Sequence, residues 1–216
     1  MPLPITSRPL DLVYFAFFLV HIPATLLIDL QALYPPSLTP YFIRALPQLY
    51  VQMSNDPLIG VALGMLGDSK PFIWFKTFLA VEALFQLPVF VLGARGLWRD
   101  SRSIYVLLLI YAASTTTTTL PCLSVLLTTP TTSAQTIANK VVSVTTFQRF
   151  LLLSSYIPFF VIPFIMMVDM ASRLSKLITT GIDAADDIKK SSLRTTTSMP
   201  SLSAPFLNPI NLLCPR

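Results

Sequence analysis

Glu82 and Gln86 lie inside an apolar run, residues 72–92, long enough to cross a bilayer. A carboxylate near the bilayer centre costs about 2.5–3.5 kcal/mol on insertion scales, so it persists only where it faces protein or trapped water and finds a partner or a proton. Their i,i+4 spacing puts both side chains on one face of a helix. A polar face on a spanning helix reads as a functional site.

The preceding apolar run carries a second polar stripe, His21, Thr25 and Asp29, at i, i+4 and i+8. Steps of four drift about 40° around a helix, so the three share one side. Asp29 by itself reads as an interfacial aspartate at a helix end; with Glu82 on the next helix, a shared pocket becomes the better reading. Two carboxylates facing one apolar cavity cannot both be charged cheaply, and one holds a proton and donates it in a hydrogen bond to the other. The single remaining negative charge suits an amphiphilic amine, and a sterol hydroxyl can hydrogen-bond to the same pair. Phe75, Phe78 and Phe85 flank Glu82 and offer either cavity lining or plain packing.

The third apolar run holds threonines 115–119 just before Pro121, which frees the carbonyl of Thr117. Most of these hydroxyls are expected to bond back to their own helix, with one or two turned towards Glu82. Asp56, in Asn55-Asp56-Pro57, has the pattern of a helix N-cap and reads as structural support, as does the helix-kinking Pro23. Asp11 reads as a cap or interfacial charge.

Other chemistries lack their residues. His21 is the single histidine and Cys122 and Cys214 are isolated, so no metal cluster is expected. No phosphate-binding glycine loop and no serine in a nucleophile turn occurs, and neither a cofactor nor a catalytic residue is assigned. The net charge of +5 is spread between and beyond the apolar runs, which does not suit a nucleic-acid partner.

These residues need elements to carry them. Of 216 residues, 53% are hydrophobic and 12% charged, against about 25% charged in soluble domains, and the mean hydropathy is +0.68. Residues 10–30, 72–92, 104–127 and 147–168 each satisfy the length of a spanning helix. The expected fold is an all-α membrane protein with four transmembrane helices. Each carries proline (Pro23, Pro88, Pro121, and Pro158 with Pro163), so four kinked helices can enclose a cavity. The connection 31–71 is too long for a bare linker. Thr39-Pro40 and Asp56-Pro57 are helix-start signals there and predict short luminal helices. The Thr/Ser-rich connection 128–146 shows no motif. Arg95, Arg99 and Arg102, with Arg173, Lys176, Lys189 and Lys190 after the last span, place both termini in the cytoplasm. The domain layout is a membrane domain over 8–170, an amphipathic interfacial helix over 171–190, and a disordered tail over 191–216 rich in Ser, Thr and Pro.

Several short segments, in order and at matching spacing over residues 8–168, resemble the sigma-2 receptor family of EXPERA-domain membrane proteins. They are Arg8-Pro9-Leu10-Asp11, His21-Ile22-Pro23, Asp29-Leu30-Gln31-Ala32, Asp56-Pro57-Leu58, Trp74-Phe75-Lys76, Glu82 with Phe85-Gln86-Leu87-Pro88, Ile104-Tyr105, and Thr118 through Pro121. The resemblance implies a four-helix EXPERA bundle, a homodimer, and the endoplasmic reticulum membrane. It also implies binding of sterols and cationic amphiphiles, with a role in sterol homeostasis or trafficking. By resemblance Asp29 engages the ligand amine, Glu82 partners it, and Gln86 with Thr117 or Thr118 lines the pocket, while Asp56 supports from the luminal cap. Fungal relatives are named for efficient mitochondrial targeting, which makes handling of mitochondrial precursors an alternative. The fold also includes a sterol Δ8–Δ7 isomerase, in whose chemistry Glu82 would be the acid and His21 or Asp29 the base. The family's third span carries a histidine where this chain reads Ala112-Ala113-Ser114.

Overall fold

The first span starts where Pro9 follows Arg8, proline being pre-organised for the first helical position. The resulting α1 runs Pro9–Leu27 and contains Pro23. The structure is a computed structural model and describes residues 3–197 apart from Pro36 and Leu38, with side chains to Lys190. Downstream of α1 come α2 (Tyr41–Ser54), α3 (Pro57–Ala62), α4 (Ile73–Val81), α5 (Leu87–Trp98), α6 (Tyr105–Thr128), α7 (Ala134–Ala138) and α8 (Thr146–Thr197). Among the described residues, four helical stretches are long and apolar enough to cross a membrane: Pro9–Ala32, Lys70–Trp98, Arg102–Thr128 and Thr146–Lys190. Among the described residues there is no strand, only an isolated bridge between Thr131 and Val144. The chain is an all-α membrane bundle.

The first span is not one helix to Leu30. Ile28 leaves helical geometry (φ −124°, ψ −63°), and Asp29–Ala32 forms a 3-10 turn. The second span is also interrupted. Glu82–Gln86 is a π turn between α4 and α5, with the Leu87 N–H bonded to the Glu82 carbonyl. Pro88 follows at once and has no N–H to return to Leu84, the kind of gap that a π turn accommodates.

Both helix-start signals in the first connection nucleate helices. Asp56 caps α3, accepting from the N–H groups of Leu58 (2.8 Å) and Ile59 (3.1 Å). The Thr/Ser-rich connection is more ordered than its composition suggests. Ser133 and Thr136 form a reciprocal capping box on α7. The S-x-x-T spacing is a weaker form of the usual acidic-ended motif and passes unnoticed in a threonine-rich stretch.

The chain divides into a unit to Leu174 and a second unit from Ser175. In the second unit α8 continues to Thr197, into the stretch expected to be without structure. Pro200 is the first helix breaker there, so nothing in 191–197 forbids helix. The rest of that tail, 198–216, lies outside the described residues.

In the first unit, α1 packs chiefly along α5. Its contact is aromatic: Phe18 stacks on Phe90 at 5.7 Å, and Tyr111 meets both edge-on. Gly93 permits the approach, because a Cβ there would sit 2.8 Å from Phe18 and 2.9 Å from Leu108. At the end where α1 begins, a clasp of charges closes the bundle. Asp11 is 1% exposed and pairs with both Arg8 and Arg173. Arg173 also grips Asp169 at 2.8 Å and lies over the Tyr105 ring, while Arg8 reaches Asp100 at 3.3 Å and the Leu97 carbonyl at 2.7 Å. Asp11 is therefore a buried ion-pair centre rather than a cap.

Candidate functional site

A cavity of about 260 Å³ opens between the spans beneath α2 and α3. Its walls include Asp29, Glu82, Gln86, Phe78 and Thr118, together with His21. Stripes on separate helices thus converge on one space. The breaks in the spans do not undo this. Asp29 reaches the cavity from the 3-10 turn after α1, and Glu82 and Gln86 from the π turn.

Aromatic and hydroxyl groups complete the wall. Phe75, Tyr50 and Tyr156 line it, as do Thr115, Thr119 and Cys122 on the face of α6 that also carries Thr118. Thr117 does not. It is exposed and its hydroxyl bonds the Ala113 carbonyl at 2.8 Å. The 3.6-residue period explains this: a helix face holding positions 115, 118, 119 and 122 excludes 117. Phe85 likewise turns away and packs in the aromatic core. Thr25 is wholly buried behind the wall and donates to Glu82 Oε1 at 2.6 Å.

His21 is held by rings. Phe90 stacks on it and Phe159 tilts against it, both with centroids at 4.5 Å. Its Nε2 stands 3.7 Å from Glu82 Oε1. His21 Nδ1 and Thr115 Oγ1 are buried with no hydrogen-bond partner among the described residues. Both residues line the cavity, and buried polar atoms are nearly always satisfied. Among the described residues no group of His, Cys, Asp or Glu is placed to hold a metal ion.

Asp56 is a buried hub beside the cavity. Its Oδ1 caps α3, and its Oδ2 accepts the hydroxyls of Tyr50 (2.8 Å) and Tyr156 (2.9 Å), two side chains that line the cavity. Burial pushes the Asp56 carboxyl up from its usual range, and bonds from Tyr50, the Ile59 N–H, Tyr156 and the Leu58 N–H pull it back. Burial, with the neighbouring Asp56 charge, raises Tyr50, keeping its phenol a donor. Sequence reasoning did not single out Tyr50, Tyr156 or Phe159. Tyr156 and Phe159 lie in a long apolar pattern and Tyr50 in an amphipathic helix, and nothing local marks an aromatic residue as cavity-facing.

A bundle of spanning helices around an acidic cavity defines a class of protein, and comparison with known families agrees. Residues 42–170 match the family model EXPERA (EXPanded EBP superfamily). The chain belongs to the EXPERA family, and its relatives place it in the sigma-2 receptor branch. It is 34% identical over 171 residues to the Sigma intracellular receptor 2 of Macaca fascicularis, which spans 79% of this chain and 92% of that protein. The identity and coverage are the same for the Homo sapiens protein. The Xenopus tropicalis protein of that name is 36% identical over 97 residues, 45% of this chain and 52% of its own length.

Proposed function

We propose that this protein binds sterols and cationic amphiphiles in the cavity between its spans, with Asp29 and Glu82 as the polar anchor. One observation carries the reading: two acidic side chains on different helices line a single cavity whose wall also includes the apolar Phe75, Phe78, Leu79 and Phe159. Such a site pairs a polar head with an apolar body. Gln86 and Thr118 supply neutral hydrogen bonds. The intended setting is the endoplasmic reticulum membrane, with both termini cytoplasmic, a homodimeric assembly, and a role in sterol homeostasis or trafficking. Relatives named as an intracellular receptor support a binding protein rather than an enzyme.

Purified protein tests this with a labelled sterol and a labelled cationic amphiphile, comparing wild type with Asp29→Asn and Glu82→Gln. Amine affinity should fall about tenfold or more in each variant, the loss of a charged hydrogen bond. Wild type that binds neither ligand, or variants that bind both unchanged, would remove the reading. A role in targeting mitochondrial precursors would then lead, tested by precursor import with and without the protein.

The 3.7 Å approach of His21 to Glu82 favours a second reading, a sterol Δ8–Δ7 isomerase. Moving a double bond needs an acid and a base on the bound sterol. Incubation with a Δ8 sterol and product analysis decides it: unchanged sterol leaves binding alone.

A further inference from the structure

Hydroxyl groups on membrane helices ordinarily bond the carbonyl one turn earlier on their own helix. Several in this chain do so. Thr116 bonds Ala112, Thr119 bonds Thr115, and Ser124 bonds Leu120. Thr25 departs from the pattern. Its one hydroxyl hydrogen crosses to the π turn and meets Glu82 Oε1 at 2.6 Å. The residue is fully buried and takes no part in the cavity wall. One turn earlier on α1, His21 Nε2 faces the same oxygen at 3.7 Å, with its ring fixed between Phe90 and Phe159.

Glu82 Oε1 is therefore the oxygen turned towards α1, while the residue as a whole lines the cavity. Glutamate has three side-chain torsions. Without an outer contact it spreads over rotamers, and a binding group works only when neighbours lock it. We infer that Thr25 is a positioning residue: its hydroxyl anchors Oε1 and so fixes the Glu82 carboxylate in the cavity wall that it shares with Asp29, where the head group of an amphiphilic amine is held. This rests on the amine-binding reading above and deepens it. Recognition of the charged head then depends on Thr25, while burial of the apolar body does not.

The test uses full-length protein in detergent with a tritiated tertiary-amine amphiphile and tritiated cholesterol. Thr25→Val keeps the shape and removes the hydroxyl, and should lower amine affinity about tenfold. Cholesterol affinity should change by less than about threefold, since a neutral head is worth less at that carboxylate. Thr25→Ser restores the donor and should recover most of the amine affinity. Comparing Thr25→Ser with Thr25→Ala poses the same question with the methyl gone from both, which covers the case where valine does not fold. Amine binding by Thr25→Val or Thr25→Ala equal to that of the serine variant would overturn the inference while the site reading stands. Equal loss of amine and cholesterol, unrelieved by serine, would also overturn it by making Thr25 merely structural. Wild type that binds no amine would instead overturn the site reading, and this inference with it.

Discussion

The hydroxyl of Tyr156 on α8 donates to Asp56 Oδ2 at 2.9 Å, tying the last span to the cap of α3. Tyr50 on α2 donates to the same oxygen at 2.8 Å. One buried carboxylate thus holds a helix start and two cavity-lining phenols, and its chemistry separates the two tasks. Asp56→Asn keeps an oxygen for the cap but turns an NH₂ donor towards two hydroxyls. Each buried donor left without an acceptor costs about 1–3 kcal/mol. The variant should unfold at clearly lower temperature in a detergent thermal melt, and Tyr50→Phe combined with Tyr156→Phe should cost less stability in the Asn background than in wild type, where it breaks two bonds to the carboxylate. Equal cost in the two backgrounds would mean that the phenols do not depend on the carboxylate.

Buried Asp11 on α1 and half-buried Arg173 on α8 are a pair far apart in sequence, with Nη1 and Oδ1 2.7 Å apart. Removing one member of a buried pair costs about 3–5 kcal/mol. Asp11→Asn and Arg173→Gln should each destabilise markedly, and the double variant should lose less than the two added together. A double-mutant cycle on denaturant unfolding measures the coupling, and additive losses would dissolve the clasp into independent surface charges.

Gly93 permits the close contact of α5 with α1. A methyl there would lie 2.8 Å from Phe18 and 2.9 Å from Leu108, one ring and one branched side chain in the tightest part of the core. Gly93→Ala should destabilise by about 1–3 kcal/mol despite its better helix propensity. Gly181→Ala, where nothing lies within 4 Å, provides the control and should be neutral or slightly stabilising. Thermal melts of the two variants read the contrast.

On α6, neighbouring threonines face different surroundings. Thr118 lines the cavity and Thr117 is exposed, although both hydroxyls bond carbonyls of their own helix. Thr117→Val should leave amine affinity within about twofold of wild type, below the worth of one neutral hydrogen bond. Thr118→Val should weaken it measurably. Labelled-amine saturation binding distinguishes them, and the opposite ranking would mean that α6 is rotated from this arrangement.

Much of this architecture was legible without coordinates. Apolar length alone identifies the four spans, because a bilayer demands about 20 such residues. Thr39-Pro40 and Asp56-Pro57 announce α2 and α3 because their effect is local: a fixed φ, and in Asp56 a side-chain acceptor within reach of the first free N–H groups. Asp29, Glu82, Gln86 and His21 stood out because polar side chains within a spanning segment are costly anywhere.

What only the tertiary structure decided is direction and partnership. That Glu82–Gln86 is a π turn and Asp29 follows a broken helix depends on neighbours that reward those departures from regular helix. The division of α6 into a cavity face with Thr118 and an outer face with Thr117 follows from how the helix is rotated, which a run of identical threonines cannot encode. The meeting of Tyr50 and Tyr156 at Asp56, and of Arg8 and Arg173 at Asp11, joins distant parts of the chain. Local sequence specifies where a helix begins and how much of it is apolar. Which residue a buried carboxylate finds is set by packing, because the desolvated group must be satisfied by whatever donor the assembled bundle brings within reach.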